Sequence, residues 1–203
     1  SSQGTRSRGS IGSYTPPRAV RLSSTRARSA AHLFLRCPSS GAGGLRVPAG
    51  GDEPDPKINE KFAHKLDFLK EATAWSKGLT PEGKRILVGD LNIAPLESDV
   101  WSHKQLLKVV SHTPIEVERL DAVQESNDWV DAVRHFIPPE ERLFSWWSYR
   151  ARDWDAADKG RRLDHVWVTP ALVDGLRKAS VLRSARGWEK ASDHTPVTIE
   201  LIN

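Results

Sequence analysis

Arg85-Ile86-Leu87-Val88-Gly89-Asp90-Leu91-Asn92 is the stretch on which the reading of the fold turns. A continuous apolar run ending in glycine predicts a buried central strand rather than a half-exposed one. Asp90 and Asn92 stand two residues apart at its C-terminal end, and that spacing in a strand puts both on one face. Pro95 ends the strand. Two polar side chains converging at the mouth of a buried strand cost free energy unless something is bound or hydrogen-bonded there. The structural alternative is an Asx-turn that caps the strand.

Two further stretches carry the same kind of signal. Arg161-Arg162-Leu163-Asp164-His165-Val166-Trp167-Val168 reads as a strand with Asp164 and His165 on opposite faces. Ser192-Asp193-His194 precedes the β-branched run Val197 to Ile202, also a strand. Acids, an asparagine and a histidine at three strand ends suit metal-assisted hydrolysis, in which a cation needs oxygen ligands and a water needs a base. A serine triad does not fit. Ser192, Asp193 and His194 are adjacent, so their side chains point apart, and no Gly-x-Ser-x-Gly elbow is present.

Upstream of the first strand, Asn59 is a plausible N-cap for a helix over 59–77. Phe62, Leu66, Leu69, Ala72 and Trp75 form its apolar stripe, with Lys61 and Lys65 on the solvated face. Leu143-Phe144-Ser145-Trp146-Trp147-Ser148-Tyr149-Arg150 is the aromatic centre. Alternation places Phe144, Trp146 and Ser148 on one face and Trp147 and Tyr149 on the other. Trp75, Trp129 and Trp167 read as core.

The chain has 203 residues, eight Trp, one Cys and no Met. It holds enough residues for one good-sized domain, a single Cys suits a reducing compartment, and no run of 18 apolar residues exists to span a membrane. Residues 1–51 contain eight Arg, no Lys and no acid, leaving 22 basic residues against 26 acids beyond them. The overall charge of +4 therefore belongs to a basic leader, and it does not by itself argue for nucleic-acid binding. Residues 1–44 are expected to be a disordered or misjoined leader, with an organellar transit peptide as the alternative. The domain proper is expected over 45–203.

Taken together, Gly89-Asp90-Leu91-Asn92-Ile93-Ala94-Pro95, Trp146-Trp147-Ser148-Tyr149-Arg150, Arg162-Leu163-Asp164-His165 and Trp188-Glu189-Lys190-Ala191-Ser192-Asp193-His194 resemble the exonuclease III family of abasic-site DNA repair nucleases. Val47-Pro48-Ala49-Gly50-Gly51 and Lys61-Phe62-Ala63-His64-Lys65 extend the resemblance upstream, so that it covers 45–203. It implies an α+β fold: a two-sheet sandwich flanked by helices, of the endonuclease/exonuclease/phosphatase type, incomplete at its N-terminus. The implied activity is Mg²⁺- or Mn²⁺-dependent hydrolysis at abasic sites and 3′ ends of double-stranded DNA, by a monomer in the cytoplasm.

By that likeness the catalytic residues are Asp90, Asn92, Asp164 and His194. His194 is the base, Asp164 orients it, and Asp90 serves the water or the leaving oxygen. Asp90, Asn92, Asp193 and His194 are the implied metal site. Lys65, Trp146, Trp147, Tyr149, Arg150, Arg162 and Leu163 are the implied DNA contacts, with Trp146 and Leu163 walling an extruded sugar. The family's early Asn and its Gln-Glu, whose Glu is a metal ligand, have no counterpart in residues 1–45, and Arg46 stands where the family has Tyr. A non-catalytic DNA-binding remnant and a small-ester phosphatase of the same superfamily are the alternatives.

Overall fold

The computed structural model describes residues 42–80 and 82–202. In chain order the elements are β1 (Ala42–Gly44), α1 (Glu60–Lys77), β2 (Ile86–Asp90), α2 (His103–Leu106), α3 (Pro114–Glu125), β3 (Val130–Asp131), β4 (Trp146–Trp147), α4 (Trp154–Ala157), β5 (Gly160–Arg161), β6 (Asp164–Val168), β7 (Leu176–Val181) and β8 (Val197–Leu201). Short 3-10 turns lie at Glu97–Asp99, Pro170–Gly175 and Arg183–Gly187. Most of the leader expected over 1–44 falls outside the described residues; its last three, Ala42–Gly44, form β1.

The period of two along β2 and β6 builds the layers. These strands are antiparallel and inner in a sheet ordered β1-β2-β6-β3. Leu87 and Trp167, partners across the ladder, face a helical layer and pack with Leu69, Ala72, Leu120, Val123 and Trp129. Ile86, Val88, Val166 and Val168 face the other way, onto Leu172 of the 3-10 turn before β7 and Leu176, Ile199 and Leu201 of the β7–β8 pair. The result is the expected α+β sandwich, with α1 and α3 covering one face. No helix of the described residues is long and apolar enough to cross a membrane.

Gly89 is required by a close approach. Pairing of the first strand with β2 continues past β1, through Leu45 N to Val88 O at 2.8 Å and Val47 N to Asp90 O at 3.1 Å. A Cβ on Gly89 would lie 1.7 Å from the Leu45 carbonyl oxygen.

Helix α1 starts as expected. Asn59 Oδ1 accepts from the backbone N–H of Lys61 and Phe62, which satisfies two of the donors a helix start leaves open. Its buried face is not the expected stripe. Phe62, Lys65, Leu69, Ala72 and Ser76 are buried, whereas Trp75 is 40% exposed. Polar groups occupy two buried positions because each has a partner: Lys65 pairs with Glu116, and Ser76 Oγ accepts from Trp129 Nε1 at 2.8 Å. Trp75 is thus not core, while Trp129 and Trp167 are.

The expected strand over 161–168 divides. β5 pairs with β4, β6 pairs with β2 and β3, and the chain switches partners at Arg162-Leu163. The aromatic stretch is a strand only at Trp146–Trp147. Phe144 therefore departs from the expected alternation and meets the Trp147 ring edge-on, with centroids 6.0 Å apart.

Candidate active site

The ends of β2, β6 and the segment before β8 meet at one mouth between the four-stranded sheet and the β7–β8 pair. Asp90 and Asp164 are partners on the last rung of the β2–β6 ladder, so their side chains lie on one face a few ångströms apart. That is the face of Val88 and Val166, which β7 and β8 cover. His194 enters from the opposite layer, three residues before β8. One ligand atom from each of Asp90, Asp164 and His194 lies within 4.8 Å of the others.

Hydrogen bonds set each side chain. His194 Nδ1 is 2.8 Å from Asp164 Oδ2, and its Nε2 is 3.8 Å from Asp90 Oδ2. Asp164 Oδ2 also accepts from Ser145 Oγ at 2.7 Å. That hydroxyl in turn accepts from the N–H groups of Leu163 and Asp164. Ser145 was not legible as a site residue, because a lone serine in an aromatic run carries no spacing signal. The His194 segment is stitched to the aromatic centre: Trp147 N donates to Asp193 O at 2.9 Å and Thr195 N to Ser145 O at 2.7 Å.

Asn92 does not continue the strand. Its φ is +52°, its N–H donates to Asp90 Oδ1 at 3.0 Å, and its side-chain amide donates to Val47 O at 2.9 Å. The Asx-turn reading therefore describes this residue, which caps β2 and orients Asp90 instead of sharing its face. Asp193 stands at the rim, with Oδ2 accepting from Trp146 Nε1 at 3.1 Å.

The electrostatics follow from crowding acids around one imidazole. Burial pushes the Asp90 carboxyl up; His194 opposes this, and the like charge of Asp164 adds to it. Burial alone would push His194 down. The hydrogen bond and charge of Asp164, with the charges of Asp90 and Asp193, outweigh it and raise the imidazole to about 9. Without a cation, His194 is therefore the counter-ion of a carboxylate cluster at neutral pH. The two carboxylates fit a hard divalent cation, with the imidazole beside them as a base. Asp90 and Asp164 would supply its oxygens.

The endonuclease/exonuclease/phosphatase family model matches residues 32–194, which spans all three strand ends. The chain belongs to this family. It is 30% identical over 142 residues to an exodeoxyribonuclease of Bacillus subtilis (strain 168), covering 69% of this chain and 53% of that one. It is 31% identical over 143 residues to the DNA repair nuclease APEX1 of Danio rerio, covering 68% and 44%. The chain thus spans about half the length of the curated relatives it matches. Among solved structures, an AP endonuclease from Archaeoglobus fulgidus superposes with a TM-score of 0.73 at 26% identity, covering 80% of this chain and 61% of that one. A 3′-5′ exonuclease from Neisseria meningitidis gives 0.70 at 26%, covering 79% and 60%.

Of the DNA contacts expected from the family resemblance, some are accessible and some are not. Tyr149 is 56% exposed, with its hydroxyl donating to Ala191 O, and Arg150 is exposed. Trp146 is half-buried beside Leu163, its ring under the Arg161 guanidinium. Leu163 and Trp147 are buried, and Trp147 Nε1 donates to Asp158. Lys65 and Arg162 cannot touch a phosphate as placed. Lys65 is fully buried against Glu116, and Arg162 is buried between Asp99 and Asp131. Both are corrections to the sequence reading, and the cause is the same: a buried cation is tolerated only with a carboxylate partner.

Proposed function

We propose that the chain is the catalytic half of a metal-dependent DNA phosphodiesterase of the exonuclease III type, acting at abasic sites and 3′ ends. The observation that carries this reading is the Asp90–Asp164–His194 cluster, with His194 Nδ1 held by Asp164 at 2.8 Å. Mg²⁺ or Mn²⁺, when bound, supplies the charge that offsets the carboxylates and the phosphate oxygens.

The chain's own groups then divide the work. Asp164, itself fixed by Ser145, holds the Nδ1 proton of His194 and so turns Nε2 toward the open mouth. With the carboxylate charge offset in this way, His194 would no longer be held protonated, and its neutral Nε2 would take a proton from the attacking water. Asp90 would hold the cation as a carboxylate and, 3.8 Å from His194 Nε2, would position the attacking water. Asn92 keeps Asp90 oriented through its N–H.

A basic and aromatic surface supports a polyanionic substrate over a small ester. Arg150, Arg152 and Lys159 line a cavity of about 460 Å³ with Trp147 and Trp154; its one acid, Asp153, is taken up capping α4, where it accepts from Ala156 N. The nearby acids Asp155 and Asp158 are already paired with Arg183. Tyr149 and Trp146 add stacking faces beside this rim.

The test is incision of an abasic-site duplex by the full chain with Mg²⁺ and with EDTA, alongside release of phosphate from a small ester. Metal-dependent cutting of the duplex is the expected result. Metal-independent binding without cutting would support a DNA-binding remnant, and ester hydrolysis without DNA cutting would support a phosphatase.

A further inference from the structure

We infer that the buried Lys65–Glu116 pair is a positioning device that holds the Asp90–Asn92 turn, and through it the metal-binding carboxylate, in place. The inference rests on the metal-hydrolase reading of the site. Lys65 and Glu116 are both fully buried, so neither can meet substrate. Lys65 Nζ donates to Glu116 Oε1 at 2.5 Å and to the backbone carbonyl of Asn92 at 2.8 Å. The opposite side of the Asn92 residue, its N–H, donates to Asp90 Oδ1 at 3.0 Å. One residue thus joins the ammonium to the carboxylate.

That residue needs holding. Asn92 is in the left-handed region at φ +52°, which non-glycine residues seldom occupy without support from their surroundings. Besides its N–H bond to Asp90, it is anchored by the Lys65 bond to its carbonyl and its own side-chain bond to Val47 O at 2.9 Å.

Glu116 makes the lysine's position rigid. Its carboxylate also accepts from Ser111 N, Thr113 N and Thr113 Oγ1, which closes the N-terminal capping box of α3. Lys65 lies in α1 and alone of the pair reaches the Asn92 carbonyl, so α3 bears on that carbonyl through Lys65. A simple staple between α1 and α3 would need no bond to Asn92. Groups behind metal ligands typically change affinity ten- to a hundred-fold when removed.

The experiment uses the full chain and the Lys65→Met/Glu116→Gln double variant. It removes both charges together and keeps an acceptor for the capping box, so no lone buried charge opposes folding. The Lys65→Met single variant serves as a second probe. Three readouts are taken: the Asn92 amide chemical shift and hydrogen exchange in metal-free protein, Mn²⁺ affinity by electron paramagnetic resonance, and binding of an abasic-site duplex in EDTA across a salt series.

The expected result is a shifted and faster-exchanging Asn92 amide, with Mn²⁺ binding about ten-fold weaker or more. DNA affinity and its salt slope should stay within twofold of wild type. An unmoved Asn92 amide in a folded variant overturns the inference, as does unchanged Mn²⁺ affinity. A salt slope lower by about 0.9 would instead make Lys65 a phosphate contact and also overturns it. Wild-type protein that binds no Mn²⁺ would sink the metal-hydrolase reading, and the Asn92 amide would then decide the positioning claim alone.

Discussion

At the scale of single residues, His194 makes the site's pH behaviour specific. Its imidazole is raised from 6.5 to about 9, chiefly by Asp164 working against burial. A group with a raised folded pKa stabilises the fold fully below its unfolded value and loses that contribution as pH rises through the folded one. Metal-free protein should therefore lose thermal stability between about pH 6.5 and 9, and His194→Ala should flatten that decline in melts recorded in EDTA. Ser145→Ala removes the donor to Asp164 and strands the N–H groups of Leu163 and Asp164. It should cost about 1–3 kcal/mol by chemical denaturation, and lower kcat more than it changes KM.

Elements were legible where a period of two or a cap decided them, and illegible where a distant partner did. The β2 and β6 runs announced the sheet because both of their faces are covered by apolar layers. Asn59 announced the start of α1 through its side-chain oxygen. The buried face of that helix was not readable. Lys65 is buried for the sake of Glu116, 51 residues away, and Ser76 for Trp129, 53 residues away. No local pattern carries such pairings, so Trp75 took a core position on paper that it does not have in the fold. The contrast is measurable: Trp129→Ala should cost about 3–5 kcal/mol in urea denaturation, and Trp75→Ser should stay within about 1 kcal/mol of wild type.

The switch of partners at Arg162-Leu163 was equally hidden. Arg162 looked like a cation near a catalytic aspartate. It is instead the centre of an ion cluster that joins the turn at Asp99, the Asp131 strand and Arg134.

For the whole molecule, that cluster sets the acid limit of stability. Burial would raise the Asp131 carboxyl, but Arg162, with help from His165, holds it well below the usual carboxylate range. A depressed folded pKa contributes stability above the unfolded value, near 4, and loses it as pH falls further. Wild-type protein should destabilise steeply below about pH 4, while Asp131→Asn should start lower and show a shallower acid slope. The meeting of Asp90, Asp164 and His194 was legible because four motifs in order mark three strand ends. The proposed DNA rim was only partly so, since exposure depends on which of several arginines and tryptophans the layers leave uncovered. Arg150 and Tyr149 remain outside, whereas Lys65, Arg162 and Trp147 are inside.

The proposed hydrolytic centre is the Asp90, Asp164 and His194 cluster. The most direct test is the single-turnover rate of abasic-site duplex cleavage in Mg²⁺ by wild type, His194→Ala and Asp164→Asn, with DNA affinity measured in EDTA on the same preparations. Each variant should bind DNA as wild type does but cut at least about a hundred-fold more slowly, the lower end expected for losing a general base or its orienting partner. Cleavage by His194→Ala at the wild-type rate would contradict that assignment.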